Sequence, residues 1–382
     1  MILHQKAFGK EENMKILMLI DRMESGGAET HVEALAEALC EGGDRVEVFS
    51  AGGRIADRME GRKIVQRRIL PIGNSPWRFF LARRMLKKQI RREGYDILHA
   101  HTRRMALLAR GLAGKGRKAG LVVTIHAAFL NFPWLSRIAF RSEGVIAVSE
   151  DLRQRGTVAF GLPAESISVI PNGIDCNIFC PSQALAERHT ILFASRLDED
   201  CSLGAKLLCD LAPRLVRDFP DLQITIAGGG DATEEILRLA SEANAECRKW
   251  VGRDAINLLG AVDDMASVYQ HHRIFVGASR AAMEAAACGC AVILCGNEGR
   301  GGILSLRRLL TDVDNLCSRG EELPSAAWLE RELRDLLENE RRTAYLSELG
   351  RAWVHQYRNI GAVARQTRAV YGTLCNTEGE TV

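Results

Sequence analysis

Residues 15–50 read KILMLIDRMESGGAETHVEALAEALCEGGDRVEVFS, and this stretch decides the fold class. Residues 15–20 are a short, almost wholly apolar run, the pattern of a strand buried on both faces of a parallel sheet. A Ser-Gly-Gly turn follows, then a helical pattern whose apolar face is carried by Val32, Leu35 and Leu39 and which Gly42-Gly43 ends. Residues 46–50, VEVFS, are the next strand. The unit is βαβ.

The same alternation runs through YDILHAH (95–101), LVVTIHA (121–127), GVIAVS (144–149) and SVIPNG (168–173), with helical patterns between them. It restarts at TILFAS (190–195) and continues through LQITIAGGG (222–230), INLLG (256–260), RIFVGAS (273–279) and AVILCG (291–296). Two doubly wound α/β domains follow. The segment 176–189 contains Pro181 and has no strong period, which makes it the expected connection. Residues 1–13 are polar and aperiodic and read as a disordered tail, so the first domain is expected over 14–180 and the second over 186–351.

The chain has 382 residues, 47% hydrophobic and 26% charged, which excludes a disordered or collagen-like protein and gives each domain enough residues for its own core. Net charge is +3, but residues 1–180 hold 28 Lys+Arg against 19 Asp+Glu, and the remainder 23 against 29. A basic first half with an acidic second half suggests that one side meets an anionic surface, although solvated helix faces alone could produce part of the asymmetry. Residues 77–92, WRFFLARRMLKKQIRR, carry seven basic and no acidic side chains, with Phe79, Ala82, Leu86 and Ile90 at helical spacing. That is a cationic amphipathic helix, read either as an outer helix with a solvated face or as one that adsorbs to anionic lipid headgroups. The basic residues lack interleaved aromatics beyond 77–80, so nucleic acid is not the expected partner. The eleven cysteines form no CxxC pair and sit mostly in apolar runs, so they read as free thiols in a reducing cytoplasm, and no metal is expected. No apolar run reaches the 18 residues of a membrane span.

Open α/β sheets bind ligands beyond the carboxyl ends of their strands. Gly26-Gly27 precedes a helix there, and so do Gly228-Gly229-Gly230-Asp231; each is a weak phosphate signal and each fits a plain tight turn. Arg196 follows the first strand of the second half, where a guanidinium can hold phosphate oxygens in two-pronged fashion; a surface salt bridge is the plainer alternative. In VGASRAAME (276–284) a strand ends and a helix starts, with Glu284 among alanines, either facing solvent or buried to accept ligand hydroxyls.

Taken in order, these residues resemble the family 4 (group 1) glycosyltransferases, over 14 to about 371. Gly26-Gly27-Ala28-Glu29 matches that family's glycine loop, Asp96, His99 and His101 its D-x-x-H-x-H strand, and Thr124-Ile125-His126 its T-x-H strand end. Val148-Ser149-Glu150, Pro171-Asn172-Gly173-Ile174-Asp175, Ser195-Arg196-Leu197-Asp198 and Glu284-Ala285 match further motifs. The resemblance implies a GT-B fold of two Rossmann-like domains facing a central cleft, with a last helix over 352–374 packing back on the first domain. It implies transfer of a sugar from a nucleoside diphosphate to a cell-surface glycan or lipid-linked acceptor, with retention, in polysaccharide or lipopolysaccharide biosynthesis. Arg196 would hold the donor diphosphate with the amides of 277–280, naming Gly277, Ser279 and Arg280, and with Gly26 and Gly27. Glu284 would take the ribose, the nucleobase would lie near Gly260 and Val262, and His126 would reach the reacting centre, unless it is a structural histidine. No cofactor or metal is implied beyond the nucleotide sugar. Localisation would be cytoplasmic, peripheral on the inner face of the membrane through 77–92.

Two positions depart from that family's pattern. Its second cation, a Lys five residues after the Arg, is Cys201 here, and the first Glu of its E-x7-E pair is Val276. Arg280 and Lys206 are the cations available to compensate. The departures keep two other readings open. One is a catalytically weakened subunit that binds nucleotide sugar for a partner enzyme, and the other is a GT-B nucleotide-sugar epimerase. The latter needs acid/base carboxylates, of which Val276 removes one. A nicotinamide dehydrogenase is disfavoured because no strand leads into GxGxxG.

Overall fold

The computed structural model describes residues 13–24, 26–62, 64–114, 116–127, 131–183, 186–319 and 322–375. Of the expected tail, residues 1–12 lie outside the described residues, as does Ser25 of the first glycine turn. The chain forms two compact units, one made of residues up to Gly173 together with those from Ile360 onward, the other of Ile174–Asn359.

In the first unit, β1 (Lys15–Leu19), β2 (Arg45–Ser50), β3 (Val65–Arg68), β4 (Ile97–Ala100), β5 (Gly120–Ile125), β6 (Gly144–Ala147) and β7 (Ile167–Val169) form one parallel sheet in the order β3-β2-β1-β4-β5-β6-β7. Strand β1 explains its own composition. Ile16 and Met18 enter the core on one face of the sheet and Leu17 and Leu19 the core on the other. Helices cover both faces, so the four positions after Lys15 are all apolar. Each of these fully buried side chains contributes roughly 1.5–3 kcal/mol by leaving water. The sequence gives no comparable signal for β3, whose VQRR is half exposed at the sheet edge and is anchored by Arg67 Nε on the buried Glu47 at 2.7 Å.

The second unit holds β8 (Thr190–Ala194), β9 (Gln223–Ala227), β10 (Ile256–Gly260), β11 (Ile274–Gly277), β12 (Ala291–Gly296) and β13 (Gly299–Ile303), in the order β10-β9-β8-β11-β12-β13. All pairs are parallel except β12–β13, an antiparallel edge of sequence GRGGI that carries no strand signal. Alternation in β8 again feeds two cores, Ile191 and Phe193 into one and Leu192 and Ala194 into the other.

The crossings between units lie elsewhere than the sequence places them. Ile174 is fully buried in the second unit's core, with Cys176 and Phe179 packed against it, so the first unit ends at Gly173 and not near 180. The stretch expected as one helix over 352–374 is two. The helix Glu340–Tyr357 buries Trp353 and Val354 in the second unit, and the helix Ile360–Cys375 buries Ile360, Val363, Ala364 and Tyr371 in the first. Apolar spacing runs on across Arg358-Asn359, and the nearest glycine, Gly361, falls inside the second helix and not at the break.

Candidate functional site

Ligands of doubly wound sheets lie where the strand order reverses. In the second unit that point is between β8 and β11, which pair through Phe193 and Val276. Arg196 leaves the end of β8 with its side chain 55% exposed, donating from Nη1 to Asp198 Oδ2 at 2.5 Å and from Nη2 to Cys201 Sγ at 3.6 Å. Cys201 thus stands beside the guanidinium as an uncharged group, its thiol pushed up by burial. Lys206 is turned to Glu235 at 2.6 Å and Arg280 to Glu284, so neither expected replacement cation is left without an acidic partner.

Glycines that the sequence left non-specific shape the Arg196 loop. Gly228 has φ +140, and a Cβ there would lie 1.8 Å from Ser195 O. One at Gly230 would lie 2.5 Å from the Leu197 carbonyl carbon. The two loops are laced by Leu197 N donating to Gly229 O at 3.1 Å, Ala232 N to Leu197 O at 2.8 Å and Gly228 N to Gly260 O at 2.7 Å. Gly260, with φ +66, closes a bulge in β10, and Val262 packs part-buried behind it. Arg196, Gly228 and Gly260 therefore belong to one loop cluster.

Beyond β11 the chain enters the helix Ser279–Ala287 through Gly277 and Ala278. Ser279 has φ +57 and donates its amide to Leu316 O at 2.6 Å, so that amide, expected on the phosphates, is engaged within the protein. The first-turn amides of a helix have no intrahelical acceptor and make up the positive end of its dipole. Val276 is fully buried in the core, which leaves position 276 no route to a ligand. Glu284 is buried, with Oε1 accepting from Arg280 Nε at 2.7 Å and Oε2 from the Tyr269 hydroxyl at 3.3 Å. Burial raises its pKa against the pull of Arg280 and Tyr269. Tyr269 is a partner that sequence reasoning missed; an isolated Tyr in a helical pattern gives no sign of reaching a carboxylate 15 residues away.

The first unit reverses between β1 and β4. Asp21, just after β1, accepts from Thr102 Oγ1 at 2.5 Å and from Arg104 Nη1 at 2.8 Å. Gly26 and Gly27 begin the helix Gly27–Glu41, where the Glu29 carboxylate folds back over Gly26. Four histidines gather behind it. His99 and His101, on one face as the period of two requires, have ring centroids 4.0 Å apart. His99 bonds the Tyr371 hydroxyl and Thr124 Oγ1, each at 2.7 Å, and His101 Nδ1 lies 3.1 Å from His126 Nε2. The His31 and His126 centroids are 5.4 Å apart. Burial lowers the pKa of His99 to about 3 and that of His126 to about 4. His101, crowded by its neighbours as well as buried, is held well below the usual range. These three rings are neutral at neutral pH. Among the described residues no group of three or more His, Cys, Asp or Glu is placed to hold a metal ion.

The basic segment is the helix Pro76–Glu93, with Ser75 accepting from Arg78 N at its start and Gly94 at φ +64 as its stop. Ala82 and Leu86 are buried and Phe79 and Ile90 pack on the same core, so the apolar stripe is consumed inside the unit. Arg83 donates to the carbonyls of Leu108 at 2.5 Å and Arg110 at 2.8 Å, capping the end of the helix Arg103–Ala109. Arg78, Arg84, Lys87, Lys88, Arg91 and Arg92 are exposed, as are Trp77, Phe80 and Met85. Among the described residues no helix is long and apolar enough to cross a membrane.

Comparison with known proteins places both halves. Glycosyltransferase Family 4 matches residues 25–178, and Glycosyl transferases group 1 matches residues 188–313. The chain is 29% identical to a phosphatidyl-myo-inositol mannosyltransferase of Mycolicibacterium smegmatis over 91% of its own length and 90% of the relative's. It is 28% identical to a subunit of the human phosphatidylinositol N-acetylglucosaminyltransferase, over 70% of this chain and 58% of that one. Among solved structures, a Rickettsia africae glycosyltransferase superposes with a TM-score of 0.74 at 17% identity, covering 96% of this chain and 100% of that one. The Anabaena protein HepE, crystallised with UDP and glucose, gives 0.72 at 19%, over 95% and 100%.

Proposed function

Since the chain belongs to glycosyltransferase family 4, with a group 1 second half and a GT-B fold, and is a glycosyltransferase of the EC 2.4 class, we propose that it moves a sugar from a nucleoside diphosphate to a lipid-linked acceptor at an anionic membrane surface, with retention at the anomeric carbon. The observation that carries the donor half is the loop cluster at the β8/β11 reversal. There Arg196, held by Asp198, lies just beyond the carboxyl end of the central strand β8, and the neighbouring strand β11 leads into the helix that begins at Ser279. A departing diphosphate gathers negative charge as the glycosidic bond breaks. A guanidinium and first-turn amides fixed in place beforehand stabilise that charge without reorganising. One charge-assisted bond of this kind is worth about 1.5–3 kcal/mol. The buried Glu284 keeps acceptor capacity on both oxygens for ribose hydroxyls, with Arg280 and Tyr269 fixing its orientation.

The acceptor half rests on the first unit. His126 follows β5, part-buried and neutral, able to accept or donate one hydrogen bond at the reacting centre without adding charge. The six exposed cations of the helix Pro76–Glu93 support residence at an anionic surface, each adding about 1 kcal/mol there. Relatives named for phosphatidylinositol substrates support a phospholipid acceptor. Turnover of a panel of UDP- and GDP-sugars on vesicles containing phosphatidylinositol, with product mass and anomeric configuration read by mass spectrometry and NMR, tests the proposal. A glycolipid that keeps the donor's configuration is expected. Transfer only to a water-soluble glycan, or an inverted product, would overturn it.

A further inference from the structure

We infer that Asp312 and Arg358 are positioning residues of the donor site, tying the first turn of the helix Ser279–Ala287 to the two places where the chain passes from one unit to the other. The inference rests on the donor assignment above. A continuous set of bonds inside the second unit makes the connection. Ser279 N donates to Leu316 O at 2.6 Å, and Leu316 N donates to Asp312 Oδ1 at 2.9 Å. Arg358 Nη2 donates to Asp312 Oδ2 at 2.8 Å, and Arg358 O accepts from Ile174 N at 2.7 Å. Ile174 and Asn359, joined by a β-bridge, are the first and last residues of the unit.

The loop in the middle is held under strain. Asn315, Leu316 and Ser318 have φ of 60, 58 and 57, as Ser279 has 57, and none of them is glycine. Such a conformation is unfavourable for an L side chain and persists only where its surroundings over-determine it. The surroundings here are Leu316, fully buried, and an ion pair whose side chains are 2% (Asp312) and 13% (Arg358) exposed, with the guanidinium 4.2 Å above the Trp353 ring. Not every group in the loop is satisfied: Asn315 is 4% exposed and its Oδ1 has no hydrogen-bond partner. A strained loop with an unsatisfied acceptor has a second arrangement within reach. An anion drawing on the amides beside Ser279 shifts the balance between the two arrangements, and the Asp312–Arg358 pair passes that shift to Ile174 and Asn359.

Hydrogen exchange of the whole chain with and without UDP, and calorimetry of UDP on variants, test this. In the wild type UDP should slow exchange over residues 312–318 and also over 174–178 and 357–361. Asp312→Asn, which keeps an acceptor for Leu316 N but loses the charge, should bind UDP at least tenfold more weakly, lose the protection over 174–178 and 357–361, and leave the acceptor KM within twofold. Arg358→Lys, which retains the charge, should come back to within about threefold of wild type. If wild type binds GDP in place of UDP, the same experiments use GDP; wild-type crossings indifferent to the nucleotide that calorimetry shows bound would overturn the inference, and that result needs no variant to fold. So would Asp312→Asn binding UDP normally while Arg196→Ala binds it poorly, an outcome that spares the donor assignment. If Arg196→Ala also binds normally, the donor assignment fails and this inference fails with it.

Discussion

Replacing Gly228 by alanine should damage the donor loop more than its size suggests. The new Cβ would sit 1.8 Å from Ser195 O, about half an ordinary contact distance, and φ +140 is a conformation that L side chains rarely adopt. Strain at such a residue and overpacking of a tight contact each cost on the order of 1–3 kcal/mol, so the sum is about 2–6 kcal/mol. For a unit of this size that lowers Tm by roughly 4–24 °C. The protein relieves the clash by moving Ser195, and Arg196 moves with it, so UDP affinity should fall with stability. Gly229→Ala is the control, because the nearest atom to its Cβ, that of Ala261, is 4.0 Å away. Calorimetric melting and UDP titration of both variants decide the matter. A Gly228→Ala protein that melts and binds like Gly229→Ala would refute the placement of this loop.

Other expectations follow from the same geometry. Glu284→Gln should weaken binding of UDP more than of its 2′-deoxy analogue, because the expected contact is to ribose hydroxyls, whereas Glu284→Ala also removes the buried carboxylate that Arg280 and Tyr269 bond and should lower stability as well, read by denaturant melts. For His99 and His101 the folded pKa lies below the ordinary value of 6.5, so the unfolded chain binds more protons; the stability they contribute is complete above that value and drains as pH falls towards about 3 for His99. Melting between pH 7 and 5 should therefore be acid-sensitive, and His99→Gln should flatten that slope. Wild type should float with anionic and not neutral vesicles at low salt, and changing Arg84, Lys87, Lys88 and Arg91 to Gln should abolish this; Arg83 is left intact because it holds backbone carbonyls.

The sheet strands buried on both faces were legible because their middles admit almost only apolar side chains: in KILML and TILFA the polar residue, Lys15 or Thr190, is confined to the first position. Edge strands were not, since VQRR and GRGGI meet solvent on one side and carry no period. The crossings were misplaced for a related cause. Ile174 and Val354 look like any apolar residue until the core that receives them is known. Site residues were legible as types at strand ends, but their partners were not. Arg280 reads as a free cation in sequence and is Glu284's partner in space. Gly228 reads as a loose turn and is the close approach that shapes the Arg196 loop. The loop 312–318 was missed altogether, because left-handed Asn, Leu and Ser leave no mark in composition.

The central claim, that the second unit holds a nucleoside diphosphate at Arg196, is tested most directly by titrating UDP and GDP into wild type and Arg196→Ala in a calorimeter. The loss should be about 1.5–3 kcal/mol, a factor of ten to more than a hundred in Kd, for whichever nucleotide the wild type binds. An unchanged Kd in a folded Arg196→Ala protein would contradict the account.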